Sequence, residues 1–244
     1  RDVAPSRGLG DVYKRQLTGE VGGAEAVVRY HHKDLGIVDP GRYLNMLEET
    51  KLSHYLDLYV FEEVCKTLHK WEVRDIPMIP VSVNFAGATL RQEGLADKML
   101  HLIEKHHVRC EYLEVEVSES SSDMNQEMLA ETSSKIRKGN VRVILDHFGA
   151  KDSSFSILSL MEFDGLKLDK SVISNIVGNG RSRIVAQAVI DICRQLGASV
   201  QAAGVETQDQ FNVLREIGCD YAQGTLFNKP ITIETFEVRY LRDR

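Results

Sequence analysis

From residue 19 onward the chain keeps one rhythm: short β-branched runs alternate with longer stretches whose apolar residues recur at helical spacing. Candidate strands lie at residues 24–30, 81–85, 113–117, 141–145, 165–168, 199–203 and 221–223. Between them, Phe61, Val64, Leu68 and Trp71 form one helical stripe, and Ile184, Ala188, Ile192 and Cys193 form another. Pro40-Gly41 is expected to open a helical region, and Gly139-Asn140 and Gly197 to close helices before strands. Repeated strand–helix units in 244 residues favour one closed β/α barrel over an open doubly wound sheet.

Several function classes are excluded early. No apolar stretch approaches the roughly 20 residues that a membrane-spanning helix requires. Cys65, Cys110, Cys193 and Cys219 are widely spaced with no C-x-x-C pair, so they read as thiols of a reducing compartment. A formal net charge of −6 argues against a nucleic-acid polymer bound through a basic surface. His31-His32 and His106-His107 are adjacent pairs, which a regular strand or helix cannot aim at one metal.

Chemistry concentrates at the strand ends. Val141-Arg142-Val143-Ile144-Leu145 runs into Asp146-His147-Phe148-Gly149, an acid at the tip of a buried strand. Glu25, Asn84, Glu116, Lys167, Asp169, Glu206 and Gln223 occupy comparable places in or after other strands. In a barrel these tips converge on the face where the βα loops build the site. Glu25, Asn84, Glu116 and Asp146 offer carboxylate and amide oxygens with no thiolate, a set suited to Mg²⁺ or Mn²⁺. Lys167 reads equally as a group that offsets developing charge or orients water and as an ion-pair partner of Asp169 or Asp146.

These words and their order resemble the EAL domain family of cyclic di-GMP phosphodiesterases. Glu25-Ala26-Val27-Val28-Arg29 is similar to the naming motif, with Val27 where Leu is usual. Val83-Asn84, Glu116-Val117-Ser118-Glu119, Leu166-Lys167-Leu168-Asp169, Gly204-Val205-Glu206-Thr207 and Gln223-Gly224 follow in the family's order, so that the resemblance spans residues 18–241. It implies an EAL-type TIM-like (β/α)8 barrel, α/β in class, with one irregular strand. It further implies that Glu25, Asn84, Glu116 and Asp146 hold a first divalent metal and that Arg29 contacts a ligand phosphate. Glu119 would anchor the mobile loop after the Asp146 strand, and Lys167 would help place the attacking water. Asp169, Glu206 and Gln223 would complete the pocket. The family reaction opens cyclic di-GMP to the linear dinucleotide.

Two departures fall on that chemistry. His147 stands where the family carries a second acid after Asp146, and Ala203 stands where an acid precedes Gly204-Val205-Glu206. Alanine can neither bind a metal nor accept a proton. A neutral imidazole can bind Mn²⁺ or Zn²⁺ but suits Mg²⁺ badly, and His147 is read as a structural residue hydrogen-bonded beside the site ahead of a ligand. A second metal site is therefore not expected. Ala150-Lys151-Asp152-Ser153-Ser154 also departs from a glycine-containing family segment that couples the site to dimer partners.

The expectation is accordingly a degenerate domain that binds cyclic di-GMP with weak or no hydrolysis and acts as a signalling receptor. The alternatives are an active phosphodiesterase and a nucleotide-independent interaction module. A homodimer, a cyclase-like or sensory domain upstream, and a cytoplasmic location with membrane tethering of the full-length protein all fit the resemblance. Asp11-Val12-Tyr13-Lys14-Arg15-Gln16 resembles a translated sequencing adapter, so residues 1–16 are set aside as non-native. Residues 17–244 then form an N-terminally truncated barrel whose opening strand is lacking or altered.

Overall fold

The computed structural model describes residues 5–6, 8–15, 20–32, 36–38, 46–47, 49–50, 52–118, 126–150 and 154–242. Eight strands form the barrel wall: β1 (Gly8–Arg15), β2 (Val21–Ala26), β3 (Val81–Phe85), β4 (Leu113–Ser118), β5 (Arg142–Phe148), β6 (Gly165–Leu168), β7 (Ser199–Ala202) and β8 (Tyr221–Gln223). From β2 to β8 each strand pairs in parallel with the next. β1 runs antiparallel to both β2 and β8 and closes the ring. This irregular strand lies within the segment that the sequence reading set aside. A short strand, Arg29–His32, leaves the barrel to pair with Pro5–Ser6 and Gly36–Val38.

The wall follows from alternation. In β4, Leu113, Val115 and Val117 are buried against the surrounding layer, while Glu114 and Glu116 are buried on the other face, inside the barrel. The helices supply the outer layer. α1 (Ser53–Val73) buries Phe61, Val64, Leu68 and Trp71, the predicted stripe. Trp71 stacks on Phe236 at 6.0 Å, and its indole donates to Glu237 Oε1 at 3.0 Å.

The second predicted stripe is displaced. α4 is the helix Gly180–Leu196, following α2 (Leu95–Lys105) and α3 (Gln126–Lys138), and it buries Ala186, Val189, Ile190 and Cys193. Ile184 is 69% exposed. Steps of four residues turn about 400°, so a line drawn through 184, 188 and 192 drifts off the buried face. Gly197, in the left-handed region at φ +74°, ends α4, and Asn140 at φ +59° ends the turn after α3, as the sequence indicated. Pro40-Gly41 lies outside the described residues. Among the described residues, no helix is long and apolar enough to cross a membrane.

Candidate active site

The inward face of each strand carries its polar residues to one place. Registers Glu25↔Ser82, Asn84↔Glu116, Ser118↔Asp146 and Gln201↔Lys167 set neighbouring strands level with one another. Lys167 Nζ lies at the centre. It donates to Glu25 Oε2 at 2.9 Å and to both oxygens of Glu116 at 2.7 Å. The sequence had offered Asp146 or Asp169 as its ion-pair partner. The structure instead pairs it with two glutamates distant in the chain. Glu25 Oε1 accepts from Asn84 at 2.6 Å, and Glu25 Oε2 also accepts from Gln223 at 2.7 Å. Ser82 donates to Glu116 Oε1 at 2.6 Å.

Electrostatics follow from burial opposed by one ammonium. Burial would raise the pKa of Glu25, yet the Lys167 charge and the bonds from Gln223 and Lys167 hold it below the ordinary carboxylate value. Asp146 is likewise lowered, with burial outweighed by Lys167 and by its bond to His147. Glu116 is pushed up to about 8, because burial and the Glu25 charge outweigh the help it receives from Lys167. Lys167 is raised well above its usual value despite burial, since Glu116, Glu25 and Asp146 surround it.

His147 sits at the rim of this cluster. Its backbone is left-handed at φ +57°, and the β5–β6 register slips between Leu145 and Phe148. The imidazole is 57% exposed, and its Nδ1 lies 2.8 Å from Asp146 Oδ2. The backbone N–H of His147 donates to Asp146 Oδ1 at 2.7 Å. His147 thus engages both oxygens of Asp146. The bond to Asp146 raises the pKa of the imidazole against the opposing effect of burial, and Asp169 adds to the rise.

Other expected residues stand at the periphery. Arg29 lies beyond the C-terminal end of β2, half-buried, and its Nη1 donates to Val28 O at 3.1 Å. Asp169 caps the turn after β6 by accepting from Ser171 N at 2.8 Å. Glu206 is half-exposed and pairs with Lys170 Nζ at 2.5 Å. Ala203 follows β7, its N–H bonded to Leu168 O at 3.0 Å, and presents only a methyl group. Glu119 and Lys151 lie outside the described residues. Sequence reasoning passed over Ser82, Gln201, Lys170 and Asp57. Asp57, on α1, accepts from Ala86 N at 2.8 Å and Thr89 Oγ1 at 2.5 Å, just past Asn84. Period-two parity with Asn84 would have found Ser82, and parity with Ala203 would have found Gln201.

The tip of β8 depends on a glycine. Gly224 has φ +154°, and a Cβ there would fall 2.2 Å from Val205 O and 2.4 Å from Val205 N. The same Val205 N–H bonds to Gln223 O at 2.9 Å, so the loop after β7 is fastened to the end of β8. Gly224→Ala is expected to cost about 3 kcal/mol or more of stability, because backbone rather than a pliable side chain must move. Urea denaturation checks this, and a loss under about 1 kcal/mol would contradict it.

Two buried carboxyls, Glu116 and Asp146, and the partly buried Glu25 face one ammonium, so the cluster can carry more negative charge than Lys167 offsets. Its donors are hard oxygens, and that excess is what a divalent cation would neutralise, so the residues fit Mg²⁺ or Mn²⁺. Among the described residues no three acidic, His or Cys side chains stand preformed around a cation position. The glutamates are turned onto Lys167.

A closed barrel with polar groups converging at the C-terminal strand ends is the layout of a β/α-barrel enzyme. The EAL domain family model matches residues 12–230, and the chain belongs to that family. It is 32% identical over 219 residues to the cyclic di-GMP phosphodiesterase NbdA of Pseudomonas aeruginosa, covering 90% of this chain and 28% of NbdA. It is 31% identical over 226 residues to the signaling protein YkoW of Bacillus subtilis, covering 93% of this chain and 28% of YkoW. The chain therefore spans little more than a quarter of the length of these relatives. Among solved structures, the PaMucR phosphodiesterase in complex with c-di-GMP has a TM-score of 0.86 at 24% identity, over 96% of this chain and 94% of that one. The FimX EAL domain of Xanthomonas citri, in complex with the same nucleotide, has a TM-score of 0.84 at 16% identity, over 95% and 88%. At those identities the likeness carries the fold.

Proposed function

We propose that this domain is a cyclic di-GMP receptor that binds the nucleotide with weak or no hydrolysis. The observation that carries this reading is the contrast within one barrel face. Glu25, Asn84, Glu116, Asp146 and Lys167 are gathered, whereas β7 is followed by the bare methyl group of Ala203, and His147 spends its imidazole on Asp146. In this reading Glu25, Asn84, Glu116 and Asp146 hold one Mg²⁺ or Mn²⁺, which when bound offsets phosphate charge and acidifies a water. Lys167 fixes the glutamates, and Arg29 presents a guanidinium suited to a phosphate, a task a lysine performs less well. Asp169, Gln223 and Glu206 border the pocket. His147 and Ala203 leave no positioned acid for proton transfer. Four free thiols support a reducing, cytoplasmic setting.

The second reading, a working phosphodiesterase, is supported by the 32% identity to a relative of that description. Calorimetric titration with cyclic di-GMP in Ca²⁺ or Mg²⁺, beside a product assay in Mn²⁺, separates the two. Binding with negligible linear product is expected, and Arg29→Ala should weaken binding by about 10- to 100-fold, the worth of hydrogen bonds to a charged group. No heat at high micromolar ligand would refute the receptor reading. Rapid turnover would favour the second.

A further inference from the structure

Gln201 is a buried polar side chain that the proposed chemistry does not use. It lies on β7, in register with Lys167 on one side and Tyr221 on the other, and so faces the barrel interior. Its Nε2 donates to Gln223 Oε1, and Gln223 Nε2 donates onward to Glu25 Oε2 at 2.7 Å. Chemistry fixes the direction of this chain. Glu25 as a carboxylate can only accept, so Gln223 must turn its NH₂ toward it. The carbonyl of Gln223 then faces Gln201, which must supply a donor.

We infer that Gln201 is a positioning residue for the metal and nucleotide site, acting through Gln223 to hold the orientation of Glu25. An amide that lost this support could swap its ends, presenting a carbonyl to the Glu25 carboxylate in place of a donor. Glu25 would then retain the donors Asn84 and Lys167 but lose the bond that completes Oε2. Residues behind metal ligands commonly contribute about 10- to 100-fold in metal affinity. Gln201 also explains how β7 serves the site although Ala203, two residues further along the same face, contributes nothing. The inference rests on the reading that Glu25 holds the cation.

The test is Mn²⁺ binding to the full chain, measured by calorimetry, for the parent, Gln201→Leu, Gln223→Leu and the double variant. Gln201→Leu is expected to weaken Mn²⁺ about tenfold. The double variant should be no weaker than Gln223→Leu alone, because one residue acts through the other. Gln201→Glu should be worse than Gln201→Leu, since a carboxylate at 201 forces Gln223 to turn its NH₂ away from Glu25. Gln201→Met replaces the leucine variant if that one folds poorly. Affinity within about twofold of the parent, or fully additive effects, would overturn the inference. If the parent binds no Mn²⁺, the metal reading fails separately. The side-chain amide protons of Gln223 then decide: protection from exchange that is lost in Gln201→Leu supports the inference, and unchanged protection overturns it.

Discussion

His147→Asp combined with Ala203→Glu is expected to raise cyclic di-GMP hydrolysis by about 10²-fold or more in Mn²⁺ or Mg²⁺, since a positioned acid or base contributes about 10²–10⁴ in rate. The backbone is suited to both changes. Position 147 is left-handed, a conformation that aspartate accepts better than most residues. Position 203 continues the inward face of Gln201, directly after β7, so a glutamate there enters the cluster around Lys167. Replacing His147 also ends the imidazole bond to Asp146 Oδ2 and leaves that oxygen free for a cation. Two added carboxylates make an already acidic site more so, and the gain should therefore appear only when divalent metal is present. Each single change should yield less than a tenth of the double. Product formation is followed chromatographically, with the fluorescence of Trp71, the one tryptophan in the chain, reporting that the variant is folded. A folded double variant with no gain over the parent would show that the block lies elsewhere, with the loop that follows Gly149 the first place to look.

What was legible beforehand divides along a physical line. The seven parallel strands were readable because short apolar runs bounded by turn signals alternate with helical stretches, and within them apolar residues fall at every second position, as in Leu113-Glu114-Val115-Glu116-Val117. The Asp146 tip and the Glu25, Asn84 and Glu116 set were readable because barrel geometry brings such tips together. β1 was not. The sequence reading sets residues 1–16 aside on the adapter-like pattern Asp11-Val12-Tyr13-Lys14-Arg15-Gln16, and the place of Gly8–Arg15 between β2 and β8 is decided by pairing across the whole chain. The partners of Lys167 escaped for the same reason, since Glu25 and Glu116 are 142 and 51 residues away. Gln201 and Ser82 were hidden because a polar residue alternating with valine looks like the solvent face of an ordinary strand. Only closure of the barrel turns that face inward. The error on α4 was local: Ile184 and Ala186 both belong to plausible apolar lines, and packing selects the second.

The cluster's dependence on one ammonium leads to the other large effect. Lys167→Met keeps the buried stem and removes the charge on which Glu25, Glu116 and Asp146 converge. The variant is expected to lose about 3–5 kcal/mol at about pH 8, the usual cost of leaving buried charge without its partner. The pH dependence has a definite sign. In the parent, Glu25 and Asp146 lie below their ordinary values, so their contribution is present at neutral pH and is lost as pH falls below the usual carboxylate range. Without Lys167, burial and mutual repulsion remain and raise all three carboxyls, as they already raise Glu116 to about 8. A carboxyl whose folded pKa is raised binds its proton in the native state, so its contribution is full at low pH and disappears as pH rises. The deficit of Lys167→Met should therefore shrink steadily from about pH 8 to about pH 5. Millimolar Mg²⁺ should narrow it further at the higher pH, by more than it stabilises the parent, because the cation takes over the role of the ammonium. Urea unfolding followed through Trp71, fully buried against Phe236, measures the parent and Lys167→Met on one signal. An equal loss at the two pH values would mean that Lys167 contributes packing alone, and that the three carboxyls do not share their charge through it.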